Sequence, residues 1–228
     1  MALTRRQFNR ALLVGLAAAT APLALAKKNV PAKSEAPPSS SLLKEDQNWA
    51  AISPPQPGDS PGRIEVLEFF SYGCPHCKDF NPLVLPWSAK LPKDVAFHRV
   101  PITFGRAAWA SLARLYFTLE ATGDLARLDQ AVFDAIHVQR KNLYTEKAVF
   151  DWVASQRVDS ARFQGAFRSF TVETRLARAE QLAAGYKVDS VPLLTVAGRF
   201  KVLGQGARSQ AELLAIADAL IAKARRRG

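Results

Sequence analysis

The chain has 228 residues, 48% hydrophobic and 22% charged, with only two cysteines. That composition excludes a collagenous, a wholly disordered or a disulfide-dense architecture, and the length suffices for one large domain, or a domain with an insertion, with its own core. The formal charge of +11 would fit a nucleic acid or an anionic membrane, but Arg5, Arg6 and Arg10 supply three of those charges, and without them +11 falls to +8 spread over the remaining chain.

The first 26 residues read as an export signal. Met1 to Arg10 is basic, Ala11 to Leu25 is apolar, and Ala24-Leu25-Ala26 places small residues at a cleavage site. The apolar run is short and Ala/Gly-rich for a membrane span, which needs about 20 residues. Thr4-Arg5-Arg6-Gln7-Phe8 resembles a twin-arginine signal, so the route is either that or the Sec pathway, into an oxidising compartment. Residues 27–62, rich in Pro, Ser, Ala and Lys, read as a flexible tether that becomes ordered near Trp49, where a first strand is weakly supported.

Arg63 to Phe70 is a β-branched and aromatic run bounded by Gly62 and Ser71-Tyr72-Gly73, and it reads as a buried strand. Cys74-Pro75-His76-Cys77 follows and opens a helical run to about Lys90, with Pro75 suited to the first turn and Pro82 and Pro86 expected to bend or interrupt it. Asp94 to Val100 reads as a second strand. From Ala107 to Ala184 the period turns helical, with stripes at Leu112, Leu115, Tyr116 and Leu119 and at Leu125, Leu128, Val132 and Ile136. Thr145 and Asp159 are expected N-caps, and Gly185 the C′ glycine of the block's last helix. Strand character returns at Val191 to Val196 and Phe200 to Val202 across an Ala197-Gly198 turn. Ser209-Gln210-Ala211-Glu212 is a capping box opening a final helix with a stripe of Leu213, Ala217, Leu220 and Ile221. The order β-α-β, helical block, β-β-α predicts an α/β, thioredoxin-like fold with an inserted helical domain. Its parts are residues 63–106, an insertion at 107–185, and residues 186–228.

Both cysteines lie in one C-x-x-C at a strand-to-helix junction, within reach of a disulfide and with one sulfur at a helix N-terminus, where free N–H groups and the helix dipole favour a thiolate. Cys74, the first, is the expected nucleophile and Cys77 the resolving thiol. Pro75 limits the loop and protonated His76 adds positive charge beside Cys74. A zinc site would want four ligands, and beyond this motif only His98 and His137 remain; a c-type haem would want His where Lys78 stands. A structural disulfide here would close a very small loop and stabilise little. Redox chemistry without a metal or other cofactor is the reading that remains.

Phe69-Phe70-Ser71-Tyr72-Gly73-Cys74-Pro75-His76-Cys77 resembles the active-site segment of the DsbA family of periplasmic thiol:disulfide oxidoreductases, and Asp189-Ser190-Val191-Pro192 resembles that family's cis-proline loop. The resemblance covers nearly all of Arg63 to Ala222. It implies that Cys74 and Cys77 are the redox pair, tuned by Pro75 and His76. Pro192 would be cis and face them, with Val191 offering backbone hydrogen bonds to an extended substrate. Glu68 would be a buried acid assisting proton transfer near the resolving cysteine. The family's lysine partner for that acid is absent here, where the matching strand reads Ala96-Phe97-His98-Arg99. The resemblance further implies a periplasmic, monomeric enzyme that introduces disulfides into reduced, unfolded exported proteins and is reoxidised by a DsbB-type quinone-linked membrane protein. The alternatives are a DsbC/DsbG-like isomerase or a reductase, and a thioredoxin-fold binding or chaperone module. An isomerase normally carries an N-terminal dimerisation domain and Thr where Val191 stands. Elsewhere, Gly204-Gln205-Gly206 lacks the third glycine of a nucleotide site, Lys223 with Arg225-Arg226-Arg227 reads as a solvated helix end, Trp109, Trp152 and Phe170 read as core, and His98 as structural.

Overall fold

A computed structural model of the protein describes residues 43–226. The expected signal peptide and the tether as far as Ser41 and Leu42 lie outside the described residues, as does Arg227. The described chain runs β1 (Trp49–Ala51), β2 (Ile64–Phe70), α1 (Pro75–Ser88), β3 (Val95–Pro101), α2 (Ala107–Thr122), α3 (Leu125–His137), α4 (Glu146–Ala154), α5 (Ser160–Phe167), α6 (Phe170–Gly185), β4 (Leu193–Val196), β5 (Phe200–Val202) and α7 (Gln210–Arg225). The five strands form one sheet in the order β1-β5-β4-β2-β3. β2 is parallel to β3 across the α1 crossover and antiparallel to β4, and this is the thioredoxin-like arrangement with five helices between β3 and β4.

β2 is apolar except for Glu65 and Glu68, and both its faces are covered, so these two acids are buried with it. Leu67 and Phe69 enter one cluster with α2, α3, α5 and α6, while Val66 enters another with Phe80 and Val84 of α1 and the buried face of α7. The helical block therefore shares its core with one face of the sheet. Thr145, Asp159, Ser169 and Ser209 cap their helices by accepting from the amide three residues on. Glu212 reaches back one residue beyond the cap, to the N–H of Arg208 at 2.7 Å. β4 and β5 join through a tight turn closed by the Arg199 N–H donating to the Val196 carbonyl at 3.1 Å, with Ala197 and Gly198 both at positive φ (54° and 64°).

Several local expectations change. Pro82 and Pro86 lie inside an uninterrupted α1; both are exposed, so the carbonyls that lose an N–H partner sit on the water side, where solvent can pair them. Gly185 is the last helical residue and Lys187 takes the left-handed conformation (φ 50°); a Cβ at Gly185 would lie 2.7 Å from the Gln56 side-chain oxygen, so the end of that side chain would have to move. Order near Trp49 and a first strand there are as expected, with β1 at Trp49–Ala51, but residues 52–62, read as tether, are also laid along the sheet. Trp49 is buried edge-on to Phe200 at 5.5 Å, Lys223 Nζ stands 3.5 Å from the Trp49 ring centroid, and the amides of Ile52 and Gln56 donate to Arg199 and Gly198. The C-terminal basic end is not merely solvated, since Arg225 makes two bonds to Asp94 at 2.7 and 2.9 Å. Trp152 is core, but Phe170 is 85% exposed. Among the described residues no helix is long and apolar enough to cross a membrane.

Gly198 carries a sharp test of the 43–62 docking, because a Cβ there would run into the Gln56 carbonyl on a backbone already at positive φ. Gly198→Ala is expected to lower stability by about 1–3 kcal/mol in equilibrium denaturant unfolding. Gly204→Ala, whose added methyl meets open space, is expected to change it by about 0.5 kcal/mol or less.

Candidate active site

β2 ends at Phe70, the chain turns through Ser71-Tyr72-Gly73, and α1 begins at Pro75 with Cys74 as its N-cap (φ −97°, ψ 119°). The turn is held locally: Ser71 Oγ accepts from the Gly73 amide at 3.1 Å and the Ser71 carbonyl from the Cys74 amide at 3.0 Å. Gly73 lies against Trp109 of α2; a Cβ would come within 2.7 Å of the indole nitrogen, so any side chain would push the loop off that ring. Both cysteines are reduced. Cys74 keeps 7% of its surface and Cys77 none, so only the first sulfur is open to attack.

The two thiols are chemically unequal. Cys74 is lowered from 9.0 to about 6, first by a hydrogen bond from the Cys77 thiol, against burial, and then by the amides of Cys77 and His76 and the charge of His76. Those amides are the second and third of the helix, with no partner inside it. Cys77 moves strongly upward, chiefly through burial and then through the hydrogen bond and charge of Cys74, with Glu68 adding to the rise. Exposed His76 has its carbonyl held by Gln210 Nε2 of α7 at 2.9 Å, which ties the loop to the last helix.

Across from the cysteines, the Val191–Pro192 peptide bond is cis and Cys74 Sγ donates to the Val191 carbonyl at 3.4 Å. The structure thus brings Cys74, Pro75, His76, Cys77, Val191 and Pro192 together at one end of the sheet. His98 stands apart, its ring nitrogen 3.0 Å from Ser60 Oγ.

Glu68 sits beneath this site, with no exposed surface. Its partner is Arg99, the residue opposite it in the parallel β2–β3 register, with Nε 2.6 Å from Glu68 Oε2. Arg99 also donates through Nη1 to Asp129 of α3 at 2.8 Å, and its guanidinium lies over the Phe70 ring, 4.0 Å from the centroid. Asp129 accepts a second hydrogen bond, from Tyr72 Oη, at 2.6 Å. The Glu68, Arg99 and Asp129 side chains are 0, 6 and 5% exposed. Burial raises Glu68 above its ordinary 4.5, with Arg99 opposing and Asp129 reinforcing the rise; for Arg99 burial works against the charge, but the two acids outweigh it and hold the guanidinium above its usual value. Sequence reasoning looked for a lysine and passed over the arginine at the matching position. Nothing in the local pattern marked Asp129, which lies 57 residues from Tyr72.

The profile of the DSBA-like thioredoxin domain matches residues 65–216. The chain is 43% identical over 181 residues to the thiol:disulfide interchange protein DsbA of Bordetella parapertussis, covering 79% of this chain and 86% of that protein. It is 39% identical over 179 residues to DsbA of Pseudomonas aeruginosa, covering 78% and 84%. The crystal structure of P. aeruginosa DsbA superposes with a TM-score of 0.78 at 37% identity, over 82% of this chain and 97% of that one; the Xylella fastidiosa DsbA structure does so at 0.71 and 31%, over 78% and 96%.

The buried cluster makes a direct stability prediction. Arg99→Met leaves Glu68 and Asp129 without their cation and is expected to lower stability by about 3–5 kcal/mol at neutral pH. Glu68 is an acid raised above its unfolded value, so its favourable contribution is complete below about 4.5 and is lost as pH rises through the folded value; without Arg99 that value rises further. The deficit of Arg99→Met, followed by denaturant unfolding from pH 4 to 8, is therefore expected to grow with pH.

Proposed function

Because the chain belongs to the DSBA-like thioredoxin-domain family, we propose that its chemistry runs through Cys74 as the sulfur that is attacked and later leaves, and Cys77 as the resolving thiol. The protein is a thiol:disulfide oxidoreductase of the DsbA kind, exchanging disulfides with substrate proteins. The observation that carries the assignment of roles is the inequality of two thiols on one helical turn, one accessible and acidic, the other enclosed and held as a thiol.

In the oxidised enzyme a substrate thiolate attacks Cys74 Sγ and the Cys74–Cys77 bond breaks. Cys77 leaves with the electron pair and takes a proton, which its raised affinity demands. Glu68 is the group beneath it that supplies this proton. A second substrate thiolate then attacks the substrate sulfur of the mixed disulfide and expels Cys74 as a thiolate. The substrate gains a disulfide, and the enzyme keeps two electrons as a Cys74 thiolate and a Cys77 thiol. A stabilised leaving thiolate makes the enzyme's own disulfide oxidising, a relation for which DsbA enzymes are themselves the reference case. Val191, whose carbonyl stands 3.4 Å from Cys74 Sγ, aligns an extended substrate strand beside Pro192. Pro75 and His76 set the acidity of Cys74.

The substrates in this reading are reduced, unfolded exported proteins, met in the periplasm after cleavage of a signal at residues 1–26. A DsbB-type membrane oxidase takes the electrons, and the enzyme works as a monomer. Residues 107–185 form a helical domain inserted into a thioredoxin-like unit of 63–106 and 186–228.

Alkylation of the reduced protein by iodoacetamide is expected to be confined to Cys74 and to have its half-maximal rate near pH 6. Cys74→Ser is expected to abolish disulfide formation in a reduced, unfolded substrate, and Cys77→Ser, once Cys74 carries a mixed disulfide with glutathione, to capture a single-cysteine substrate by expelling glutathione and to stop at that mixed disulfide. Full activity in Cys74→Ser, or alkylation only near pH 9, overturns the assignment.

A further inference from the structure

The Glu68–Arg99–Asp129–Tyr72 cluster holds two carboxylates against one buried guanidinium, and the two acids are not equivalent. Asp129 accepts from Arg99 Nη1 at 2.8 Å with one oxygen and from Tyr72 Oη at 2.6 Å with the other. Among the described residues Glu68 accepts only from Arg99 Nε, with Oε2, while its Oε1 and the Arg99 Nη2 are buried without a hydrogen-bond partner. A carboxylate with both oxygens paired carries its charge at far lower cost than one with a bare oxygen in an apolar surround. Of the two acids, Asp129 is therefore the better-paired acceptor beside Arg99, and Glu68 the one that burial drives toward its protonated form.

The geometry points to Asp129, fixed by Tyr72, as the positioning residue that keeps Glu68 protonated for delivery to Cys77. This rests on Glu68 being the proton donor in the exchange reaction. Asp129 comes from α3, in the helical block, whereas Glu68 and Arg99 come from the sheet, so the block completes the electrostatics of the redox site. Tyr72 stands two residues before Cys74, which ties the same network to the active-site turn. The charged and titratable groups that act on Glu68 are Arg99 from β3, Asp129 from α3, Tyr116 from α2 and Cys77 from α1, with Tyr72 bonded to Asp129; of these only Asp129 brings a formal negative charge other than a thiolate. The direction of the Glu68 shift agrees: it is upward, chiefly through burial, with Asp129 adding a smaller push the same way.

The proton balance closes with solvent. When the Cys74–Cys77 bond breaks, the Glu68 proton passes to the Cys77 sulfur, and the Glu68 carboxylate is left paired to Arg99. The returning proton comes from solvent, and a surface cavity of about 590 Å³ with Arg99 and Tyr116 in its wall reaches the Arg99 end of the cluster on the β3 edge, with Cys74 not among its lining residues.

The test is infrared titration of the protonated-carboxyl band in wild type and in Asp129→Asn, Tyr72→Phe and Glu68→Gln, together with the pH dependence of the first exchange step of each oxidised protein with a thiol peptide. Wild type is expected to show the band at neutral pH and Glu68→Gln to lack it. In Asp129→Asn, which keeps an acceptor for Arg99 and Tyr72 but not the charge, the band is expected to titrate out about one pH unit or more lower, a tenfold or greater loss of proton affinity, and the high-pH limb of the exchange rate to fall at the same lower pH. Tyr72→Phe is expected to shift both in the same direction and carries the test alone if Asp129→Asn does not fold. A band that titrates at the wild-type pH in both variants, while Glu68→Gln still slows exchange, overturns the role of Asp129 and leaves Glu68 as donor. An exchange rate unchanged in Glu68→Gln overturns the donor reading itself, and with it the delivery proposed here.

Discussion

The first turn of α1 carries N–H groups that no residue of the helix can pair, and a sulfur at the N-cap is where their field is strongest. Everything else at the site serves to put Cys74 there and keep Cys77 one turn further in. A buried strand delivers the chain to the turn, Pro75 starts the helix without wasting a donor, and Trp109 and Gln210 hold the loop from opposite sides. The second thiol sits below the first in an enclosed environment where ionisation is costly, so the pair divides into a leaving group and a proton acceptor.

That division of labour needs an ionisable group below the pair, and such groups are expensive to bury. The chain meets the requirement with a compact network in which one arginine serves two acids and lies on the Phe70 ring. The arginine's fixed charge and forked donors suit it to bridge two carboxylates on different elements, which a lysine, as a single point charge, would do less specifically. The helical block thereby contributes to the chemistry as well as to the core: α2 and α3 pack on the aromatic end of β2 and bring Asp129 to it.

Much of this was legible in the sequence, because the signals were local. The apolar run of β2, the C-x-x-C at a strand-to-helix junction, the helical stripes and the serine, threonine and aspartate caps each depend on residues a few positions apart, and each element stands within a residue or two of where its pattern placed it. What was not legible depends on pairing at a distance. A first strand near Trp49 was expected, but residues 52–62 have the composition of a linker and yet dock through backbone bonds to the β4–β5 turn, which leave no period in the sequence. Gly185 looked like the C′ glycine of α6, but it is the last helical residue and Lys187, two residues on, takes the left-handed conformation. Arg99 becomes visible only once the β2–β3 register is known, and Asp129 only once α3 is placed. Phe170, an aromatic in a helical stripe, is left in solvent at the start of α6.

The central claim is that the fold itself stabilises the Cys74 thiolate, and linkage makes this measurable without a substrate. A group lowered from 9.0 to about 6 adds stability above its unfolded value and loses it as pH falls through the folded one, and only the reduced protein has that group to titrate. The decisive measurement is the unfolding free energy of the reduced protein minus that of the oxidised protein between pH 5 and pH 9. The account predicts a flat difference below about 6 and a rise in favour of the reduced form of about 1.4 kcal/mol per pH unit above it. Parallel curves across the whole range would contradict it.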